Sequence, residues 1–410
     1  MSATKRFTAL DGYRAVAAIT VVVFHVLYLT GQNVAGTLLG DFASRLDVAV
    51  TLFFLLSGFL LYRPWADAHF DPAPDARGPR TPGYLWHRAL RILPAYLLLA
   101  LVVLLTTARG ADVRTWLSTL TLTEVYRHPL PTGLEQTWSL SAEVTFYLLL
   151  PLFAVALLRP RRRTPRRQLH TELVVLAVVA VVGVTYQGLS ESDLHWLPPL
   201  AGSWFLGYVA WFAAGMALAV VFAWVNHHPG RLRTVADEVG RSWGLCWALA
   251  AVLFVLAMTP VAGAHASATL TPFEAMSRNV LYCLIATAFL IPGVFGPQDD
   301  GVVVRLMTNP PIAYLGLISY GIFLWHLVLT KPAMRLTGHK LFGGGTLEVL
   351  AVTLLLTVAA ATLSYYLLEA PALRLKSRGP SLSRATASAG ADDRLAAHDP
   401  DVGVGVEAQG

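Results

Sequence analysis

The stretch Tyr13-Arg-Ala-Val-Ala-Ala-Ile-Thr-Val-Val-Val-Phe-His-Val-Leu-Tyr-Leu29 is apolar enough to cross a bilayer, yet it holds Arg14 and His25 with ten residues between them. Backbone groups in lipid must be satisfied within their own segment, so a run of this kind reads as a helix. An ionisable side chain at membrane depth is costly and marks a functional position by default. At ~1.5 Å rise per residue, the two side chains lie ~16 Å apart along the helix, about half the hydrocarbon thickness. One therefore lies near a membrane face and the other deep.

The rest of the chain repeats the pattern of long apolar runs. Of 410 residues, 55% are hydrophobic and 14% charged, with a mean hydropathy of +0.55. That balance excludes a soluble fold of this length. Windows long enough to span occur near 13–31, 47–64, 85–108, 139–158, 172–188, 203–225, 243–262, 275–296, 311–330 and 346–368. They are long rather than alternating ten-residue segments, which favours helices over a barrel. The expected fold is all-α, a polytopic membrane bundle of about ten transmembrane helices.

Loop charges set the orientation, because cytoplasmic loops retain Lys and Arg. The run Arg159-Pro-Arg-Arg-Arg-Thr-Pro-Arg-Arg167, together with Arg231, Arg233 and Arg241, falls on one side, while loops 189–202 and 263–274 carry no Lys or Arg. Both termini are expected in the cytoplasm. Lys331, Arg335 and Lys340 oppose this scheme, standing on the expected outer side. The net charge of +6 is then mostly topological, and no nucleic-acid partner is expected. No cleavable leader pattern precedes the first span. Residues 1–376 read as the membrane domain, and 377–410, rich in Gly, Ala, Ser and Asp, as a disordered cytoplasmic tail.

Ranked by depth, the intramembrane polar residues fall into two layers. Arg14, Arg63, Arg88 and Arg91 lie toward the cytoplasm; positions 88 and 91 share a helix face, so their guanidinium groups can converge on one anion such as a phosphate. His25, Asp47, Glu143 and His326 lie toward the other side. A carboxylate beside an imidazole orients it and stabilises its protonated form, which suits a general base acting on a hydroxyl. Each residue has a plainer reading. Glu143 can serve as the cap partner of Ser139 or Ser141, and the arginines can be positive-inside anchors. Ser57-Gly58 can permit close helix approach, while Trp65, Trp116, Trp196, Trp204 and Trp243 can form an interfacial belt. His170, His195, His227 and His228 lack metal-ligand spacing, so no zinc site is expected. Cys246 and Cys283 sit in apolar spans and read as packing residues.

These residues resemble acyltransferase family 3, a family of integral membrane O-acyltransferases, over Leu10 to about Arg374. The ordered blocks are Leu10-Asp-Gly-Tyr-Arg14 with Phe24-His25, Phe53-Phe-Leu-Leu-Ser-Gly-Phe59 after Asp47, Arg88-Ala-Leu-Arg91, Thr137-Trp-Ser-Leu-Ser-Ala-Glu-Val-Thr-Phe-Tyr147, and Ile318-Ser-Tyr320 with Leu324-Trp-His326 and Glu369-Ala-Pro371. Ala370 departs from the basic residue often found there. The resemblance implies transfer of an acyl group, usually acetyl, from cytoplasmic acyl-CoA to a hydroxyl of a carbohydrate, cell-envelope glycan or specialised metabolite. Acyl-CoA is then a co-substrate, and no bound cofactor is expected. The resemblance also implies His25 as catalytic base with Glu143 as its carboxylate partner. Arg14, Arg88 and Arg91 hold the donor, with Asp47, Ser57, Trp138, Ser139, Trp325 and His326 in support. The alternative is a secondary transporter or flippase using the buried Arg, His and Glu for protons or anions. Against it stand the lack of an inverted repeat and of Gly- or Pro-interrupted segments at corresponding positions of two halves.

Overall fold

The structure, a computed structural model, describes residues 7–33, 36–73, 76–126, 130–157, 164–192, 198, 201–263 and 270–381. Among the described residues, eight helices are long and apolar enough to cross a membrane, and two bent helix pairs bring the total to ten if each pair is one crossing. The long helices are α1 (Thr8–Leu29), α3 (Val48–Phe70), α4 (Thr81–Thr106), α6 (Trp138–Ala156), α7 (Pro165–Ser190), α8 (Phe205–His227), α11 (Pro272–Phe295) and α15 (Thr346–Ser364). The bent pairs are α9 (Arg231–Arg241) with α10 (Trp243–Ala257), at 72°, and α13 (Pro310–Leu317) with α14 (Ser319–Leu336), at 73°. Short helices α2 (Leu38–Ala43), α5 (Val113–Leu120) and α12 (Val302–Met307) fill the connections. The expected helical membrane bundle is therefore present.

Helix boundaries follow local chemistry. Thr271 and Glu274 form a reciprocal capping box before Pro272 at the start of α11, and Thr164 caps α7 ahead of Pro165. One expected span is broken: the chain bends at Ile318 inside the window 311–330, while the bend at Ser242 lies at the start of the window 243–262, where polar α9 meets apolar α10. Both bends lie in the C-terminal part of the chain, so they do not form the paired arrangement of an inverted repeat. The out-of-place cations Lys331 and Arg335 lie on the last turns of α14, exposed, where a helix C-terminus favours positive charge.

Small residues set the closest approach. A Cβ on Gly58 of α3 would strike the Phe212 carbonyl and lie 3.2 Å from the Gly215 Cα of α8, so these two backbones touch directly. Gly58 thus meets its sequence expectation, while its neighbour Ser57 does different work, described below. Trp65 corrects the interfacial-belt reading: it is 4% exposed and packs edge-on against Tyr84. Below it, Glu172 of α7 accepts from Tyr62 (2.7 Å) and Gln168 (2.7 Å) and pairs with His69 at 2.8 Å, tying α3 to α7 through a buried polar cluster. Cys246 and Cys283 are free thiols beside the core.

Residues 377–381, placed by the sequence reading in the tail, are described. Leu375–Arg378 form a turn of 3₁₀ helix, the Leu375 carbonyl accepts from the Trp86 indole at 3.3 Å, and Ser381 backbone lies against Gly83. Residues 382–410 lie outside the described residues.

Glu124, in the connection before α6, is 1% exposed, accepts from the Thr137 hydroxyl at 3.2 Å and leaves its second oxygen without a partner. Burial pushes its carboxyl up to about 7. The folded state therefore favours the protonated form. Its contribution is fully present below the ordinary carboxylate range and is lost as pH rises from there through about 7. Melting in detergent should show wild type losing roughly 3 kcal/mol more than Glu124→Gln between pH 5 and pH 8. Parallel pH profiles for the two proteins would rule this out.

Candidate active site

Two polar clusters inside the bundle gather most of the expected site residues, and they do not divide them as depth alone suggested. The first surrounds a cleft of about 840 Å³, counting its open mouth, between α1, α3, α4, α6 and α14. Arg14, Arg88 and Arg91 all line it, together with Ser57, Ser139, Glu143, Tyr147 and Tyr320. The three arginines come from two helices, and position 91 follows 88 by one turn. Among the described residues none of the three donates a hydrogen bond to a protein group, and the Arg88 Nε is buried without a partner. The Arg88 guanidinium lies 5.9 Å from the Tyr147 ring centre. Converging donors left unfilled by the protein are what an anionic ligand requires.

Glu143 belongs to this cleft. Its Oε1 accepts from the Ser57 hydroxyl and the Tyr147 hydroxyl, each at 2.5 Å. This corrects its assignment as the partner of His25, since no hydrogen bond joins the two. It also corrects the capping reading, because Ser139 and Ser141 lie within the helical turns and donate to the Gln136 and Thr137 carbonyls. The physical reason is azimuth: Glu143 projects from α6 toward mid-α3, where Ser57 stands nine residues into that helix.

A second carboxylate, absent from the sequence-based site, joins the arginines. Glu369 is fully buried, neither oxygen has a hydrogen-bond partner, and it lies close enough to Arg91 and Arg14 to interact with their charges. It ends a π-helical turn, Tyr365–Glu369, which widens the helix before Pro371. A carboxylate next to a helix-breaking proline at the foot of the last span was the signal available in the sequence.

The second cluster is a pair of imidazoles. His25 Nδ1 and His326 Nε2 are 3.2 Å apart, joining α1 to α14. His25 Nδ1 donates to the Val21 carbonyl at 2.9 Å, and His326 Nδ1 donates to the Phe323 carbonyl at 2.7 Å with Ile322 at 3.2 Å. Carbonyl oxygens only accept, so in the neutral rings both Nδ1 atoms carry the proton. His326 Nε2 is then an acceptor for the shared His25 Nδ1 proton. His25 Nε2 keeps its lone pair, and no described residue bonds to it. His326 thus occupies the orienting place that the sequence reading assigned to Glu143. The adjoining Trp325 buries its indole nitrogen without a partner.

Neither imidazole lines the arginine cleft. Phe53 and Phe323, which do, stand between: their ring centres are 6.4 Å apart, and Phe323 is 6.2 Å from His326. Asp47 lies apart from both clusters, accepting from Tyr282 at 2.5 Å at the start of α3, beside a separate cleft that Trp138 also lines.

Membrane-spanning helices that enclose a cleft lined by three arginines define a multi-pass membrane protein. The chain belongs to the acyltransferase 3 family, whose model, described as an acyltransferase domain, matches residues 7–369. It is 26% identical over 384 residues to YrhL of Bacillus subtilis (strain 168), covering 88% of this chain and 54% of that protein. It is 23% identical over 395 residues to the peptidoglycan O-acetyltransferase OatA of Listeria monocytogenes, covering 90% and 56%. The chain thus spans about half the length of these two relatives. Acyltransferase MdmB of Streptomyces mycarofaciens is 25% identical over 409 residues, with 91% and 93% covered. No solved structure matches the chain.

Proposed function

We propose that the protein is a membrane O-acyltransferase that moves an acyl group, acetyl by preference, from cytoplasmic acyl-CoA to a hydroxyl of a carbohydrate, cell-envelope glycan or specialised metabolite. The observation that carries this reading is the free His25 Nε2 lone pair beside a cleft of three arginines with unfilled donors. Loop charges support a cytoplasmic position for the cleft end and for both termini.

In this reading the phosphates of acyl-CoA meet Arg14, Arg88 and Arg91, and the thioester reaches past Phe53 and Phe323 toward His25. His25 Nε2 takes the proton of the acceptor hydroxyl as its oxygen attacks the thioester carbonyl carbon. The C–S bond then breaks, and the leaving thiolate takes the proton back from His25. His326 supports the transient imidazolium by accepting the Nδ1 proton. Glu143 and Glu369 offset part of the arginine charge and hold the cleft in shape when it is empty.

Purified protein in detergent, supplied with radiolabelled acetyl-CoA and a panel of hydroxylated acceptors, should release free CoA and label the acceptor. A transporter leaves the thioester intact. Arg88→Ala or Arg91→Ala should weaken acyl-CoA binding roughly ten- to hundredfold, the scale of a lost charged hydrogen bond. Equal calorimetric affinities for wild type and both variants would remove the arginines from the donor site.

A further inference from the structure

A second cleft of about 840 Å³ opens where α3, α6, α8 and α11 begin and α7 ends, away from the arginines. One wall is aromatic. Trp138 and Tyr208 have ring centres 4.7 Å apart and tilted by 34°, and Trp211 continues the wall 4.9 Å from Tyr208. These rings are not an interfacial belt, since Trp211 is 6% exposed and donates its indole hydrogen to the Asn279 carbonyl at 3.0 Å. The facing wall is polar. Asn279, 3% exposed, donates its amide to the Gly207 carbonyl at 2.8 Å, which fixes its orientation and leaves Oδ1 without a partner. Gln187 Oε1 is likewise buried and unpartnered.

We propose that this cleft is a subsite for one neutral sugar ring of the acceptor. A pyranose presents an apolar face of C–H groups, which an aromatic wall covers, and an edge of hydroxyl donors, which need fixed acceptors. Asn279 Oδ1, Gln187 Oε1 and Asp47 supply such acceptors, and an acceptor buried without a partner is costly until a ligand or water fills it. Charge argues for a neutral ring. The carboxylates Asp47 and Glu191 line the cleft with Arg278, and Arg278 and Arg45 act on nearby Glu274 as well as on Asp47, so the carboxylates are at least as many as the cations and nothing favours an anionic ring.

The cleft also adjoins the donor side. Val50 lines both clefts, and Trp138 faces this one while the next residue, Ser139, lines the arginine cleft. A ring held here stands one side chain from the cavity assigned to the donor. The purpose of the subsite rests on the acyl-transfer reading; its binding of sugar does not.

The test titrates full-length protein in detergent with cellobiose, N,N′-diacetylchitobiose and, as an anionic control, cellobiouronic acid, following tryptophan fluorescence. At least one neutral disaccharide should quench saturably, and Tyr208→Ala should weaken that binding about tenfold, with acetyl-CoA affinity unchanged. Asp47→Asn keeps an acceptor for Tyr282 and so keeps the fold, and it should weaken the same sugar. Quenching by the anionic sugar alone, or by none, overturns the subsite. So does quenching that neither variant alters. Saturable sugar binding without acetyl transfer to any acceptor would instead preserve the subsite and defeat the proposed activity.

Discussion

Replacing His25 with alanine is expected to slow acyl transfer by ~10²–10⁴, the range of general-base assistance, while acetyl-CoA still binds. The separation of the two effects follows from geometry. His25 contacts His326 and the Val21 carbonyl, not the arginine cleft, so its loss removes the proton acceptor without altering the donor's phosphate contacts. His326→Ala should give a smaller loss, because His25 keeps its bond to Val21 and loses only the acceptor that supports its charged form. Stopped-time transfer assays paired with calorimetric binding of acetyl-CoA measure both quantities. A His25→Ala protein that inserts normally and transfers at the wild-type rate would end the proposed mechanism.

Glu143 is expected to behave as a structural acid of the donor cleft, and two substitutions separate that role from catalysis. Glu143→Ala strands the Ser57 and Tyr147 hydroxyls and leaves Glu369 and Asp11 to offset the Arg14, Arg88 and Arg91 charges. Leaving a hydroxyl inside the bundle without its acceptor costs about 1–3 kcal/mol, and two are stranded here, so the melting midpoint in detergent should drop. Glu143→Gln keeps an oxygen to accept from Ser57 and Tyr147 and should fold. Its pH–rate profile should match that of wild type, because Glu143 does not touch His25. A displaced alkaline or acid limb in Glu143→Gln would restore it as the histidine's partner.

The fold was largely legible. All ten apolar windows correspond to helices or bent helix pairs, because burying backbone groups in lipid is a constraint each segment satisfies alone. Misses came where a segment meets another. The bend at Ile318 joins two apolar helices, so hydropathy does not detect it, whereas the bend at Ser242 falls where polar α9 gives way to apolar α10. Trp65 looked interfacial because it follows a span end, but α3 continues to Phe70 and carries the ring into the core.

Within the candidate site, Arg14, Arg88 and Arg91 share a cleft as their depth and spacing suggested, and His25 and His326 meet. Glu143 was misplaced because depth along a helix is one coordinate, whereas contact also requires the direction in which a side chain leaves its helix. Glu369 was overlooked for a related reason: its carboxylate reaches Arg14 and Arg91 only after the π-helical turn rotates the end of the last span. The chain's own residues determined that it crosses the membrane in helices and at what heights it places its charges, since hydropathy and rise per residue are local properties. Tertiary packing alone decided which carboxylate faces the arginines and which imidazole supports His25, since those pairings depend on how neighbouring helices turn and tilt against one another.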